Sequence, residues 1–383
     1  MIEINPYLRG PAFKKIFIVG ESLNDYFRIE FIRKIGKISF LTLSKDLISV
    51  EAMLINYKET LKKGNIVYLR GIVVLNNRKR PVLNIKEIQV KEEGKALLDS
   101  NYYELKDIAD IRRLPIYRLS RMKEVILEKA IFYQELRTLL REKMYLETPC
   151  PIISSEYGGA TSKSFTVQRN QKSYYLSICP ELYLKRYLLA GFSKVYSIHR
   201  CFRNEGFDKT HYPEFDMVEI YDVGSDAKKM RDLFFQFIKI LSKRYDIPTG
   251  YKTKNYFLDR NFTMTQYEQE LQNNKGWLVV EGLPHSESPL CKEREKGISD
   301  QIEIYFDNLE IANIYTEETN CNRLKESFSL SRGGVGTKDN FLEDFLFQIP
   351  PTGGMGFGME RLLTVILGKK RLEEVLPFII PEF

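Results

Sequence analysis

Between residues 14 and 92 apolar and polar positions alternate with a period near two. IFIVG opens the region, YFRIEFIRKIG, KISFLTL and LISVEAML continue it, and NIVYLRGIVVL and RPVLNIKEIQV close it. Such alternation predicts strands that turn one face to a core. The polar segment NYKETLKK suits a short helix between the third and fourth strands. Three strands, a helix and two strands is the order of a five-stranded OB barrel, a fold that commonly takes oligonucleotides on one face. An unrelated small barrel or sandwich is the competing reading. Tyr26, Phe27 and Phe40 are candidate stacking rings, and Arg28, Arg33, Lys34 and Lys37 candidate cations for a nucleic-acid backbone. The alternative sets at least one of these rings in the barrel core.

KEEGKALLDSNYYELKDIADIRRLP is charged and irregular, and reads as a linker. From Ser120 the period lengthens. Ile126, Ala130, Phe132, Leu136, Leu139 and Leu140 recur near helical spacing, which predicts one helix from about Ser120 to Glu147. Pro149 and Pro151 stop it. Beyond them strand-like runs (SYYLSI, EFDMVEIYDV, WLVVEG, QIEIYF) alternate with helical ones (ELYLKRYLLA, KKMRDLFFQFIKILSKRY). The mix predicts an α+β fold. The expected domains are a barrel over residues 1–95, a linker over 96–119 and an α+β domain over 120–383.

Composition narrows the chemistry. A chain of 383 residues, 43% of them apolar, can bury more than one core. A net charge of +7 suits an anionic partner such as a nucleotide or RNA; a lysine-rich solvated surface explains it equally well. The five cysteines form no CxxC pair and the three histidines stand apart, which argues against a disulfide framework or a zinc site. No apolar run approaches bilayer length, and the start MIEINPYLRG lacks a signal pattern. A reducing cytoplasm is the expected location.

The stretch CFRNEGFDKTHYPEFDMVEIY, residues 201–221, concentrates the chemistry. On a strand, Phe215, Met217, Glu219 and Tyr221 share a face. An acid and a phenol beside an aromatic make a poor core and a plausible ligand wall. Arg203 and Glu205, two apart, would share a face of the preceding strand.

This stretch resembles motif 2 of the class II aminoacyl-tRNA synthetases, and most closely its lysyl-tRNA synthetase form. LEKAIFYQELRTLLREKMYLETP resembles motif 1, a dimer-interface helix ending at Pro149. PPTGGMGFGMERLLTVILG resembles motif 3, with Arg361 as its arginine. EYGGATSKSF, ICPELYLKRYLLAGF, SPLCK and LEIANIYTEETN are similar to lysyl-enzyme segments in the same order. The resemblance implies a class II catalytic domain, with a mixed, mainly antiparallel sheet flanked by helices, behind an anticodon-binding OB barrel. It implies a lysine–tRNA ligase that uses ATP and Mg²⁺, takes lysine and tRNA(Lys), and forms a homodimer.

The resemblance also implies roles. Arg203 bridges the α-phosphate and the substrate carboxylate; Phe215 and Arg361 hold the adenine; Glu205 meets its amino group; His211 lies near the outer phosphates; Glu303 and Glu310 hold Mg²⁺. Gly159 and Glu181 hold the substrate α-amino group. Glu219, Tyr221, Asn313 and Glu317 receive the ε-ammonium.

Tyr212 replaces the asparagine usual after the motif 2 histidine, Ile314 a small residue after Asn313, and Glu360 the aspartate before the motif 3 arginine. The span Tyr245 to Glu281 leaves little room for the helical insertion of full-length lysyl enzymes. That compactness is similar to paralogues that attach lysine or a lysine analogue to elongation factor P, although those lack the OB domain. A catalytically silent binding module on the same fold is a further alternative.

Overall fold

The computed structural model describes residues 19–45, 48–94, 118–119, 121–155, 160, 162–206, 208–256, 264–288, 290–330, 344 and 348–379. Packing separates the chain into two compact units, Met1–Leu127 with Pro377–Phe383, and Glu128–Leu376.

In the first unit the alternating segments form β1 (Ser22–Ile35), β2 (Ile38–Lys45), β3 (Ile48–Ile55), β4 (Ile66–Leu75) and β5 (Pro81–Glu92). They close a barrel in the order β1-β2-β3-β5-β4, with β3 and β5 parallel. Its core includes Leu23, Phe27, Ile29, Leu41, Leu43, Val67, Leu69 and Leu83. Phe27 therefore belongs to the core, while Tyr26 and Phe40 are exposed. A bulge between Ile29 and Phe31 re-aims β1. A second shift, at Arg70/Gly71, brings backbones so close that a Cβ on Gly71 would lie 2.7 Å from the Asn84 carbonyl oxygen. NYKETLKK forms no helix. It crosses as bends and a turn, with Tyr57 and Leu61 packed on the barrel core and Asn65 Oδ1 accepting from the Lys62 N–H. Packing of the apolar pair and this side-chain bond replace helical bonding.

The second unit begins within α1 (Lys123–Glu142), followed by β6 (Leu146–Glu147), β7 (Ile153–Ser154), β8 (Thr166–Arg169), β9 (Lys172–Leu176), α2 (Glu181–Leu189), β10 (Lys194–Phe202) and β11 (Glu214–Val223). Then come α3 (Ala227–Leu241), β12 (Tyr251–Asn255), α4 (Met264–Asn273), β13 (Trp277–Glu281), β14 (Glu293–Glu295), β15 (Ile298–Ser299), β16 (Gln301–Phe306), β17 (Leu309–Thr316), α5 (Cys321–Leu330), β18 (Thr352–Gly358) and α6 (Met359–Ile366).

Eight strands make one sheet in the order β12-β13-β16-β17-β18-β11-β10-β6. Only the outer pairs β12–β13 and β10–β6 are parallel, so the sheet is mixed and mainly antiparallel. Helix α3 covers one face. Asp226 caps it by accepting from the Lys229 N–H at 2.8 Å, and Phe234 and Phe237 meet Phe357 of β18. The opposite face carries the cavity described below.

Helix α1 ends earlier than its apolar pattern predicts. Met144 adopts φ 66°, Tyr145 N–H donates to the Leu140 carbonyl and Met144 N–H to that of Arg141. This pair of bonds is a Schellman stop made without glycine, so the sequence gives no sign of it. Leu146 and Glu147 instead pair with β10. Phe132, Leu136, Leu139 and Leu140 are buried as expected; Ala130 is exposed.

Candidate active site

Strand β11 lies in the middle of the sheet, between β10 and β18. Its period of two turns Phe215, Met217, Glu219 and Tyr221 into a cavity of about 490 Å³, and turns Asp216, Val218 and Ile220 the other way. Strand β17 adds Asn313 and Tyr315 by the same alternation, with Glu317 just past its end. Strand β18 supplies a floor of glycines. A Cβ on Gly354 would lie 2.0 Å from Glu317 Oε1 and 2.7 Å from the Tyr221 ring. The position must lack a side chain for the acid and the phenol to reach the cavity.

At one end of the cavity stand three buried carboxylates, Glu181, Glu219 and Glu317. The Tyr221 hydroxyl donates to Glu219 Oε2 at 3.0 Å. Burial, and then the charge of Glu181, push the Glu219 carboxyl up to about 8. Burial likewise raises Glu317, against the pull of Lys185. Lys185 Nζ lies 2.6 Å from Glu181 Oε1 and 2.6 Å from Glu317 Oε2. Its approach to Glu317 is that of a close ion pair. Oε1 in particular is a buried acceptor with no donor among the described residues, an expensive arrangement unless a ligand completes it.

The cavity is also lined by Arg203, Glu205, His211, Phe215, Glu310 and Arg361. Strand β10 ends at Phe202, so Arg203 and Glu205 sit beyond it rather than on it. The Arg203 N–H donates to the Pro213 carbonyl, and its guanidinium lies 5.2 Å from the Phe215 ring centre. Asp208 receives His211 Nδ1 at 2.7 Å and the backbone N–H groups of Thr210 and His211, which outweigh burial and hold its carboxyl below the usual range. Arg361 donates to the backbone oxygens of Glu310 (3.1 Å) and Thr210 (3.3 Å), and so bridges β17 and the loop before β11.

Glu303 does not line the cavity. It pairs with Asn313 across β16 and β17, and Gln301 Nε2 donates to both side chains at 3.0 and 3.1 Å. The hydroxyls of Tyr267 and Tyr305 donate to Glu303 Oε2. Burial, followed by the charge of Glu310, raises the Glu303 carboxyl. Gly159 lies outside the described residues. No three His, Cys, Asp or Glu side chains cluster as metal ligands among the described residues.

Each of the three replaced residues has a definite place. Tyr212 is buried in the cavity wall. Ile314 is fully buried on the face of β17 away from the cavity. Glu360 Oε2 accepts from the Asp216 N–H at 2.9 Å, and its Oε1 from Lys129 of α1 at 2.7 Å. The longer acid therefore ties the start of α6 to β11 and α1. Sequence reasoning missed Lys185, Tyr267 and Tyr315. The first hides as a polar position of an amphipathic helix, and the others carry no motif of their own.

The family model for the class II tRNA synthetases (D, K and N) matches residues 108–380. "Lysine--tRNA ligase 2" of Methanosarcina mazei is 27% identical over 92% of this chain and 83% of its own. "Lysine--tRNA ligase" of Saccharolobus solfataricus is 26% identical over 96% and 83%. "Lysine--tRNA ligase" of Ureaplasma parvum is 26% identical over 84% and 78%.

Proposed function

We propose a lysine–tRNA ligase activity for this chain, which belongs to the class II tRNA synthetases (D, K and N). The observation that carries lysine, rather than aspartate or asparagine, is the acid-lined end of the cavity with the unsatisfied Glu317 Oε1. A desolvated ammonium needs opposite charge and full hydrogen bonding, whereas a carboxylate side chain there would add a fourth acid to three that share one buried lysine.

In this reading the lysine carboxylate attacks the α-phosphorus of ATP, the bond to the β-phosphate oxygen breaks, and pyrophosphate leaves. The protein positions two anions and neutralises them. Arg203 faces both, a task suited to a planar guanidinium. Phe215 and Arg361 bracket the adenine, and Glu205 accepts from its amino group. Asp208 fixes His211 by Nδ1, which leaves Nε2 for an outer phosphate. Glu181, with Gly159, takes the α-amino group. Glu219, Tyr221, Asn313 and Glu317 take the ε-ammonium.

The donor set of Glu303 and Glu310 fits Mg²⁺. Glu310 lines the cavity and repels Glu303 just behind it, a repulsion a cation would relieve, and this ion is ordinarily held by one or two carboxylates with phosphate oxygens completing its shell. When bound, it would neutralise phosphate charge. Residues 1–95 serve as the anticodon-binding barrel, 96–119 as the linker and 120–383 as the catalytic domain of a cytoplasmic homodimer.

The test is ATP–pyrophosphate exchange with lysine, aspartate and asparagine in turn, followed by charging of total tRNA with labelled lysine. Exchange with aspartate alone overturns the pocket assignment. Exchange with lysine and no tRNA product moves the acceptor to a protein or small amine.

A further inference from the structure

Among the described residues, Lys185 is the one lysine almost wholly removed from solvent, at 1% exposure. It stands on α2 one turn after Glu181 and reaches across to Glu317, beyond the end of β17. The Tyr221 ring centre is 5.9 Å from its Nζ, Glu219 acts on it from β11, and the Cys291 thiol from the segment before β14. A buried lysine normally loses its charge. Here the charges of Glu181 and Glu317 outweigh burial and keep the ammonium protonated.

We propose that Lys185 is a built-in counter-cation of the amino-acid pocket, a positioning residue that sets how much positive charge the pocket accepts. By pairing with both Glu181 and Glu317, it cancels one of the three carboxylates and fixes the orientation of two. Once Glu219 gives up its proton to an incoming ammonium, two negative charges remain, and they match the two ammonium groups of a diamino acid. Arg203, whose charge acts on Glu219, matches its carboxylate. The buried charges then close to zero with substrate bound. A substrate with a neutral side chain leaves one carboxylate unpaired. A pocket without Lys185 must take up a proton before it balances. The inference rests on the lysine-activating reading of the site.

Three variants separate charge from packing: Lys185→Met, Lys185→Gln, whose amide still donates to the acids, and Lys185→Arg, which keeps the charge. Lysine-dependent and ATP-dependent exchange are measured for each across the range from weakly acidic to alkaline pH. For Met and Gln the lysine KM at neutral pH should rise by about tenfold or more, while the ATP KM stays within about twofold. The pH at which the lysine KM levels off should move up by about one unit, because the remaining acids bind their protons more tightly. Lys185→Arg should keep the original profile. A Gln variant with the original lysine KM and pH profile overturns the proposal, and so do Met and Gln variants that lose lysine and ATP use in parallel with no change of profile. Because Gln and Arg are compared directly, a Met variant that fails to fold does not blunt the test. Absence of lysine-driven exchange in the unaltered protein is a different result, and removes the underlying activity instead.

Discussion

Lys129 on α1 and Glu360 at the start of α6 form a buried ion pair at 2.7 Å, and Lys129 also meets Asp216 of β11 at 2.9 Å. Burial alone would lower the Lys129 ammonium; the charges of Glu360 and Asp216 outweigh it and raise it. Tyr133 and Arg200 complete the set around Asp216. One cation thus joins the elements of all three motif-bearing segments. Lys129→Met should cost about 3–5 kcal/mol of stability, because it leaves the buried Glu360 without its cation while Asp216 keeps Arg200 and Tyr133. Chemical denaturation measures the loss. Adding Glu360→Gln should recover part of it; a double variant no more stable than the single would break this account.

Gly354 is the second test. An alanine there meets Glu317 Oε1 and the Tyr221 ring. Relief requires one of them to leave the cavity, at a cost of about 1–3 kcal/mol. Lysine-dependent exchange should drop while ATP binding, read by equilibrium titration, changes little. Equal losses for both substrates would mean that the strand itself has moved.

The third concerns pH. Burial raises the Glu219 carboxyl to about 8, so near neutrality it is largely protonated before lysine arrives. An ε-ammonium favours the carboxylate and expels that proton. Lysine affinity should therefore climb as pH rises towards 8 and then flatten, and calorimetry in buffers of different ionisation enthalpy should record proton release. Stability runs the opposite way. A carboxyl raised on folding contributes most below its unfolded value and loses that contribution as pH rises through the folded one. Glu219→Gln should flatten the fall in Tm over that interval, at the expense of lysine use.

The fourth concerns association. Met144 is 82% exposed, and Leu146, Ile152 and Ile153 are about half exposed along one stretch after α1. Isologous pairing of this stretch would bury it. Sedimentation should give a dimer at micromolar concentration, and Ile153→Asp should shift it to monomer. A monomeric unaltered protein with full exchange activity contradicts the dimer.

The fifth concerns RNA. The exposed Tyr26 ring lies tilted against Tyr68 with ring centres 4.9 Å apart, and Lys63 lies over the exposed Phe31 ring. Tyr26→Ala and Phe31→Ala should each weaken tRNA binding by about 1–3 kcal/mol if a base stacks there, with exchange unchanged. Binding should also weaken as salt is added. Charging that ignores both substitutions places the RNA elsewhere.

The parts legible in the sequence are those with a short period. β11 announces its inward set because the strand repeat is two, and the barrel strands do the same. Phe27 goes inside and Tyr26 outside for that reason. What stays hidden depends on partners far along the chain. Lys185 looks like the wet side of α2 until Glu317 arrives from 132 positions later. The end of α1 is invisible because methionine takes a conformation that usually calls for glycine. Tyr267 gains its meaning only when α4 lays it against Glu303.

The alternation along β11 has a consequence for quality control. Phe215, Met217, Glu219 and Tyr221 face the cavity only in one register with β10 and β18. A slip of a single residue would turn Glu219 into the apolar packing behind the sheet and bring Val218 and Ile220 to the cavity instead. The same error that destroys the pocket also destroys the core behind it. A chain with this fault loses its pocket and its core together. The sheet inspects its own assembly before any substrate does.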